Sequence, residues 1–378
     1  MQRIHFTARV RRARTRTLAA IGIAAAVAFV AANVVASQGG TPTRPPAPAT
    51  LSELLLRESG AAGPAGLSAD FHYVNGLVPD TSSLPAITGG GPTPLLEGAS
   101  GRLWWGDGRL RMEFQNDSGD TQLVVHGDHA LMYDAAAGNA FSVVLPVLAS
   151  AGATRSGLAG AAQLLLGLRS QMHVSEPAPG VIQGRPAYTV TLRPAGSESL
   201  IGAISLSLDA DTGTPLRVRI YGRGSSQPVV ALDLSNVHYG AVSPTVFDIK
   251  LPFGMQPSPI RFSSLPSIGA AASCGAPARI ASLPLTSCRA ATGSAASTGR
   301  LLVYGHGLGA VIVLEELEGG DATGGVWGLL PGVSLGESEG RELSTTLGTV
   351  IRFGRGGITY TVAGSRPAPL VRAVARGL

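Results

Sequence analysis

Charged residues and cysteines are scarce in this chain. Only 14% of its 378 residues are charged and 44% are hydrophobic, which excludes a charge-rich disordered protein. Glycine (51 residues) and proline (26 residues) are frequent, a composition typical of many short strands joined by tight turns. The length allows two ordinary domains plus terminal segments.

Sequence signatures of catalysis are also missing. The chain has no nucleophile elbow, Walker loop, HExxH motif, EF-hand or paired CxxC site. The fragment GHGLGA at residues 305–310 lies between two predicted strands, so it indicates a hairpin turn and not a phosphate-binding loop. His126 and His129 flank a Gly-Asp turn without an identifiable third ligand, so they indicate a turn. We therefore expect no enzyme activity, no catalytic residue, no cofactor and no metal.

The net charge of +5 comes from the start of the chain. Residues 1–17 contain six arginines and no acidic residue, whereas the chain after residue 36 contains 23 basic and 24 acidic residues. A protein body without a basic surface is not expected to bind nucleic acid.

An apolar leader follows these arginines. Residues 18–36 form a run of 19 uncharged residues, which fits a secretory signal with a small-x-small cleavage site ending at Ala36. A run of this length equally fits an uncleaved transmembrane anchor. No cysteine follows the run, which excludes a lipobox-type lipoprotein. We expect residues 1–36 to be a signal peptide or signal anchor, residues 37–50 to be a linker, and the protein to be in the extracytoplasmic cell envelope, secreted or anchored.

Cys274 and Cys288 are the only cysteines of the chain. In an exported protein a disulfide is favoured over a metal-binding pair, because no histidine or carboxylate cluster accompanies them. In the chain-entropy model such a bond stabilises the fold by about 3 kcal/mol. Its expected role is to fix a linker.

Strands dominate the chain after a short helix predicted at residues 51–62 with Ser52 as its cap. Leu110 and Met112 alternate with Arg109 and Arg111, and the same alternation recurs in at least four other strands. This period-two pattern predicts a sheet with one solvent-exposed polar face and one apolar face. A Gly/Pro-rich excursion at residues 79–100 and an apolar helix at 157–169 interrupt the strands.

Two short helices are too small to cover such a wide apolar face. Either a second sheet completes a sandwich, or the sheet curls and leaves a concave cavity that the helices fill in part. For every side chain in the apolar stripes, ordinary core is the alternative to ligand lining. The candidate cavity residues lie on the apolar side of the strands: Leu110, Met112, Phe114, Tyr188, Val190, Leu192, Ile204, Leu206, Leu208, Val218, Ile220 and Leu232.

The predicted helix at 157–169 would act as a lid over this face through Leu158, Leu165 and Leu168. Trp104 and Trp105 are adjacent in a strand, so they point to opposite faces and one of them lines the cavity.

Composition also divides the remainder of the chain. Residues 51–254 are expected to form the first domain, and the Pro/Ser/Ala/Gly-rich residues 255–299 a linker containing both cysteines. Residues 300–378 are expected to form a small α+β domain. Its predicted strands include the segments VWGLL and TTLGTVIRF, and its last helix starts near Pro367.

Two segments of the first domain resemble the LolA-type lipoprotein carrier superfamily, in its actinobacterial branch. They are LEGASGRLWWGDGRLRMEFQNDSGDTQLVVHGDHALMYDAAAGNAFSVVLP and VIQGRPAYTVTLRP with the later LIGAISLSLDADTGTPLRVRIYG and VFDIKLPFG. The resemblance implies an open antiparallel half-barrel with helices plugging its mouth, which receives lipoprotein acyl chains or other lipids. The RseB/MucB sigma-factor regulators share that fold and also have a small C-terminal domain. The segment TYTVAGSRPAPLVRAVARGL resembles the end of that domain. The Gly/Pro excursion and the cysteine-bearing linker are longer than a minimal carrier needs, and no gating residue is transferred.

The expected fold is therefore mainly β with α (α+β), an open antiparallel half-barrel with plugging helices followed by a small α+β domain. The expected function is carrier-like binding of a lipid or an acylated protein in the concave face, with membrane association through residues 18–36 if they are uncleaved. The alternative is an RseB/MucB-like regulator that binds a membrane anti-sigma factor.

Overall fold

A computed structural model describes most of the chain after the leader. The described residues are 44–54, 64–77, 94, 98–117, 119–127, 129–135, 138–144, 172–260, 267–271, 275–292, 298–317 and 327–378. Within them the fold is mainly β, with two large sheets, few helices and no closed barrel.

The first and larger sheet contains thirteen strands. They are β1 (Gly66–Asn75), β2 (Gly98–Gly106), β3 (Arg109–Asn116), β4 (Gly119–His126), β5 (His129–Asp134), β6 (Asn139–Val144), β7 (Met172–Val174), β8 (Ala178–Ile182), β9 (Arg185–Pro194), β10 (Ile201–Asp209), β11 (Pro215–Gly222), β12 (Pro228–Tyr239) and β13 (Ser258–Ile260). The strands predicted from alternation in this region are confirmed.

Neighbours in the large sheet are mostly consecutive in the chain. The order is β13-β6-β5-β4-β3-β2-β1-β12-β11-β10-β9-β7, with β8 also pairing β9. All pairs are antiparallel except β13 with β6. Strands β1 and β12 pair with each other, and this pair joins strands β1–β6 to strands β9–β12 in one continuous sheet.

The β2–β3 connection is the tight turn that its sequence predicts. Asp107 has φ +50° and Gly108 has φ +70°. Positive φ at both central residues is the type I′ geometry that matches the twist of a hairpin.

The second sheet contains nine strands. They are β14 (Ser267–Ala271), β15 (Arg279–Ile280), β16 (Leu283–Thr292), β17 (Thr298–Tyr304), β18 (Val311–Leu317), β19 (Gly332–Ser334), β20 (Glu339–Ser344), β21 (Thr349–Arg355) and β22 (Ile358–Gly364). The order is β14-β16-β17-β18-β22-β21-β20-β19, with β15 paired to β16. Helix α1 (Ala368–Arg376) follows Pro367 as predicted and buries Val371, Val374 and Ala375 in the core of this unit.

The segment predicted as a linker contains strands. Strand β16 pairs along its length with β17, for example Cys288 with Leu302, and β13 pairs with β6 of the large sheet. Small Ser, Ala and Thr side chains suggested a linker, but backbone pairing with a neighbouring strand decides the conformation here. The segment predicted as a linker therefore contributes strands to both sheets at these residues.

Two smaller predictions are also corrected. The first helix begins at Leu51, and its cap is Thr50 and not Ser52: the Glu53 N–H donates to Thr50 Oγ1 (3.2 Å) while the Thr50 N–H donates to Glu53 Oε2 (2.7 Å). This reciprocal pair is a capping box, which satisfies two backbone donors at once. The VWGLL segment is not a strand, because Trp327–Leu329 forms a 3₁₀ turn.

The two sheets contact each other directly. The Arg366 guanidinium, next to α1, donates to Glu198 Oε2 (2.6 Å) in the β9–β10 connection and to the Gly309 carbonyl (2.5 Å). The Leu200 N–H donates to the Ser365 carbonyl (2.9 Å), and the Thr346 N–H to the Leu77 carbonyl (3.3 Å). The second sheet therefore lies at the end of the large sheet where the connection between β9 and β10 is found.

Candidate functional site: the apolar face of the large sheet

One face of the large sheet is lined with apolar side chains. In β3, Leu110, Met112 and Phe114 are each only 1% exposed, whereas Arg111 and Glu113 between them are half-buried. The alternation predicted from the sequence is thus the burial pattern of the strand. The same pattern holds in β1, β4 and β5.

A single cluster unites the apolar side chains of β1–β5 and β12, and we call it the main cluster. Among the described residues, every member comes from the large sheet: Leu67, Ala69, Phe71, Tyr73, Ala99, Leu103, Leu110, Met112, Phe114, Leu123, Val125, Ala130, Met132 and Leu234, with partly buried Trp105, Phe141, Val230, Leu232, Val237 and Tyr239 against them.

Three aromatic rings lie at the centre of the main cluster. Phe71 and Phe114 meet edge to face with centroids 5.1 Å apart, and Tyr73 approaches Phe114 at 6.3 Å. Burial raises the pKa of Tyr73 to about 12, although a hydrogen bond with Asn75 partly opposes the shift. The shift follows from the position of the phenol among these buried apolar side chains, where its charged form is disfavoured.

The β9–β10 part of the apolar face is occupied by the chain itself. Val190 and Leu192 are buried together with Leu51 of the first helix and Met172 of β7, and Leu308, before β18, packs against the same cluster. Ile204 packs at its edge. These three candidate cavity residues are therefore core in this structure, because residues distant in sequence cover them.

The other candidates divide by burial. Leu206 and Leu208 are buried beside half-buried Val218 in a small cluster of their own. Tyr188 is 2% exposed, and its hydroxyl donates to the Ala47 carbonyl (2.6 Å). Ile220 and Leu232 are half-buried. Of the twelve predicted residues, Leu110, Met112, Phe114 and Leu232 belong to or contact the main cluster.

The lid prediction lies outside the described residues, as do Leu158, Leu165 and Leu168. Cys288 is disulfide-bonded, and Cys274, the only other cysteine of the chain, also lies outside them. None of the helices among the described residues is both long and apolar enough to cross a bilayer.

The opposite face of the large sheet carries polar side chains, and charged side chains on it form ion pairs with one another. Asp233 accepts hydrogen bonds from Arg217 Nε (3.1 Å) and Arg219 Nη2 (2.5 Å). The hydrogen bond to Asp233 is the main cause that raises the pKa of Arg219. Trp104 lies on this face, with the Arg111 guanidinium 5.9 Å from its ring, whereas Trp105 contacts the main cluster. The prediction that the two tryptophans point to opposite faces is confirmed.

A cleft of about 330 Å³ lies beside β9–β11 and is lined by polar groups, including Thr191, Arg193, Ser205 and Tyr221. These side chains alternate with the apolar candidates along the strands, so the cleft is separate from the main cluster.

The described residues contain no group of three or more potential metal ligands. His126 and His129 pair across the β4–β5 hairpin and are both exposed.

Several main-cluster residues were not among the predicted site residues. Phe71 and Tyr73 of β1 and Leu123 and Met132 of β4 and β5 lie on the same face as Met112. Their signal was available, because all of them follow period-two alternation. No sequence pattern indicated that Leu51 and Leu308 pack against Val190 and Leu192, because this packing joins segments that are distant in the chain.

No protein-family model and no curated protein sequence matches the chain. Among solved structures, the complex of MucA and MucB from Pseudomonas aeruginosa is similar at 16% identity and a TM-score of 0.41, covering 82% of this chain and 91% of that one. A structure of MucB is similar at 15% identity and a TM-score of 0.37, covering 83% and 91%.

A putative outer membrane lipoprotein-sorting protein domain from Vibrio parahaemolyticus is similar at 10% identity and a TM-score of 0.16, covering 49% of this chain and 89% of that one. At these identities and TM-scores the likenesses do not assign a family, and the function proposed below depends on the residues of the chain itself.

Proposed function

We propose that this chain is an exported, non-catalytic binding protein of the cell envelope that holds a hydrophobic ligand, a lipid or a lipoprotein acyl chain, against the main cluster. The supporting observation is that the members of this cluster, among the residues that the structure describes, form a wide apolar layer on one side of a single sheet. An apolar surface of this kind receives either the chain's own side chains or an apolar ligand.

The occupied β9–β10 region narrows the proposed site. Since Leu51, Met172 and Leu308 cover Val190 and Leu192, the ligand would lie over β1–β5 and β12. In this proposal the large sheet curves as an open half-barrel. Met112 and Met132 provide flexible side chains that adapt to an acyl chain.

Native mass spectrometry of residues 37–378 purified from cell envelopes tests the proposal. The expected result is a second mass series that carries a bound lipid and that a fluorescent fatty acid displaces. Protein that is empty and does not bind the fatty acid contradicts it.

A matched pair of variants locates the site. Met112→Phe adds volume in the main cluster and Met172→Phe adds the same volume in the β9–β10 cluster, and each is expected to cost about 1–3 kcal/mol of stability. Only Met112→Phe is expected to weaken fatty-acid binding. Equal weakening in both variants contradicts the location.

The second candidate is a regulator that binds a membrane protein partner, such as an anti-sigma factor. The observation that favours it is Leu308, a residue next to the second sheet that packs on the apolar face of the first. Protein that remains free of lipid but retains a membrane protein in a pull-down from envelopes would support this candidate over the first.

A further inference from the structure

A hydroxyl group without a hydrogen-bond partner is buried on the apolar face of the large sheet. Thr121 of β4 is 2% exposed, and its Oγ1 atom has no partner among the described residues. Thr121 follows the same alternation as Leu123 and Val125 of the main cluster, so its side chain lies on their face. A buried hydroxyl that loses its water without gaining a partner destabilises the fold. This hydroxyl can therefore be satisfied by a bound molecule that carries a hydrogen-bond acceptor.

The side chains of the apolar face form three rows that cross strands β1 to β5, and the rows differ in polarity. The first row lies beside the β2–β3 and β4–β5 turns and, like the second, contains only apolar residues. The third row lies toward the β3–β4 turn and ends in two polar residues. In that order the rows are Leu67, Trp105, Leu110, Val125 and Ala130, then Ala69, Leu103, Met112, Leu123 and Met132, then Phe71, Gly101, Phe114, Thr121 and Asp134. The face therefore changes from apolar to polar along its strands.

The side chains beyond the third row continue this change. Tyr73 hydrogen-bonds to Asn75, and both residues are buried. Thr121 and Val125 are four residues apart in β4, so about 13 Å separates the third row from the first. An amphiphilic molecule matches such a surface when its polar end lies at Thr121 and its apolar chain lies across the first two rows.

Asp134 restricts the chemistry of the polar end. It is the cross-strand neighbour of Thr121 and is half-buried, and directly opposite side chains have Cβ atoms about 5 Å apart. A ligand carboxylate at Thr121 would be repelled by the Asp134 carboxylate, because like charges repel more strongly away from water. The carbonyl oxygen of a neutral ester accepts the same hydrogen bond without adding a charge.

We propose that the ligand of the main cluster is an acyl ester whose carbonyl oxygen accepts a hydrogen bond from Thr121 Oγ1 and whose acyl chain extends toward Leu110 and Val125. This inference rests on the proposed function, to which it adds the class of ligand and the direction of the ligand on the sheet. Thr121 then favours the ester over a hydrocarbon, and Asp134 favours it over a free fatty acid.

Thr121→Val tests the hydrogen bond, because it removes the hydroxyl and keeps the shape of the side chain. Displacement of a fluorescent apolar probe from the full chain measures the affinities of methyl laurate, lauric acid and dodecane. The parent should bind the methyl ester most tightly. In Thr121→Val the affinity for the ester should fall about tenfold and the affinity for dodecane should stay unchanged.

The stability of the ligand-free protein separates this role from a structural one. Since Thr121 Oγ1 has no partner among the described residues, Thr121→Val should unfold at the same or a higher urea concentration than the parent. Thr189→Val is the matched control, because Thr189 Oγ1 hydrogen-bonds to Ser207 Oγ (2.8 Å). That variant should lose stability and keep the affinity for the ester. A loss of stability in Thr121→Val, or an unchanged preference for the ester, would overturn the assignment of Thr121.

Brominated esters test the direction of the ligand without altering Thr121. In Trp104→Phe, the emission of Trp105 in the first row should be quenched by methyl laurate brominated at the end of its chain. Methyl laurate brominated beside the carbonyl should quench it weakly, and equal or reversed quenching would overturn the direction. Equal affinity of the parent for all three probes contradicts this proposal alone, whereas binding of none of them contradicts the proposed function as well.

Discussion

Phe71 and Phe114 meet above Gly101, the residue that pairs with both of them across neighbouring strands. The missing side chain of Gly101 leaves the space in which the two rings make their edge-to-face contact, with centroids 5.1 Å apart. Rings that lean over a strand glycine stabilise the sheet at its weakest point. The centre of the main cluster therefore depends on a residue without a side chain.

Gly101→Ala is expected to disrupt this arrangement. A Cβ at this position would lie 1.7 Å from the Glu113 carbonyl oxygen and 3.1 Å from Phe71 Cζ. The backbone cannot yield as a side chain can, so we expect a loss of about 3 kcal/mol or more in the free energy of unfolding, measured by urea titration. Gly180→Ala is the control, because a Cβ there meets nothing within 4 Å, and it should stay within about 0.5 kcal/mol of the parent. Equal stability of the two variants would contradict the packing described for Gly101.

Tyr239→Phe is expected to change stability at alkaline pH. The Tyr239 hydroxyl donates to Asp209 (3.1 Å) and accepts from Thr212 (2.9 Å), and burial, followed by the charge of Asp209, raises the pKa of Tyr239 to about 12. Because the folded pKa lies above the ordinary value of 10, the stabilisation is complete below pH 10 and is lost as the pH rises from 10 to 12.

The variant should lose about 1–2 kcal/mol at pH 8, since Asp209 loses a donor. Its stability should then fall less steeply than that of the parent above pH 10, with Tyr73 still contributing. Thermal unfolding between pH 8 and pH 12 measures both effects. Parallel pH profiles would show that Tyr239 is not the responsible group.

Glu342→Gln is expected to change stability at acidic pH. Glu342 accepts hydrogen bonds from Arg372 Nε (2.6 Å) and Nη2 (2.7 Å), and these bonds are the main cause that lowers the pKa of Glu342 below its ordinary value of 4.5. The stabilisation is present above pH 4.5 and is lost as the pH falls through the lowered pKa.

Because the Arg372 side chain is 39% exposed, solvent screens the pair, and the loss in the variant at pH 7 should be about 1 kcal/mol or less. The difference between parent and variant should shrink below pH 4.5 in thermal unfolding. Glu339→Gln, at an exposed position of the same strand, is the control and should keep the stability of the parent at pH 7. A Glu342→Gln deficit that persists at pH 3 would be inconsistent with this assignment.

Thr50→Ala is expected to weaken the start of the first helix. It removes the acceptor for the Glu53 N–H, and replacing an N-cap threonine costs about 1 kcal/mol. Hydrogen exchange at residues 51–54 should accelerate in Thr50→Ala and stay unchanged in Ser52→Ala. The reverse result would restore Ser52 as the cap.

Local patterns in the sequence were sufficient for the strands of the large sheet. Leu110, Met112 and Phe114 alternate with charged residues, and burial on one face follows from that alternation. Asp107 and Gly108 likewise determine their hairpin, because few residues adopt positive φ.

Contacts between distant segments could not be predicted in this way. The covering of Val190 and Leu192 depends on Leu51 and Leu308, which are more than a hundred residues away from them in sequence. Strand β16 has the composition of a linker, and it is a strand in the structure because β14, β15 and β17 pair with it. Ser52 and Thr50 are both residue types that cap helices, and the hydrogen bonds between Thr50 and Glu53 show which of them does so.

Trp105 and Trp104 provide the most direct measurement of ligand binding to the main cluster, because only Trp105 contacts that cluster while Trp104 lies on the polar face. Titration of residues 37–378 with a brominated fatty acid should quench the tryptophan fluorescence of the parent. Quenching should persist in Trp104→Phe and largely disappear in Trp105→Phe. Absence of quenching in the parent, or equal quenching in the two variants, would contradict a hydrophobic ligand on this face.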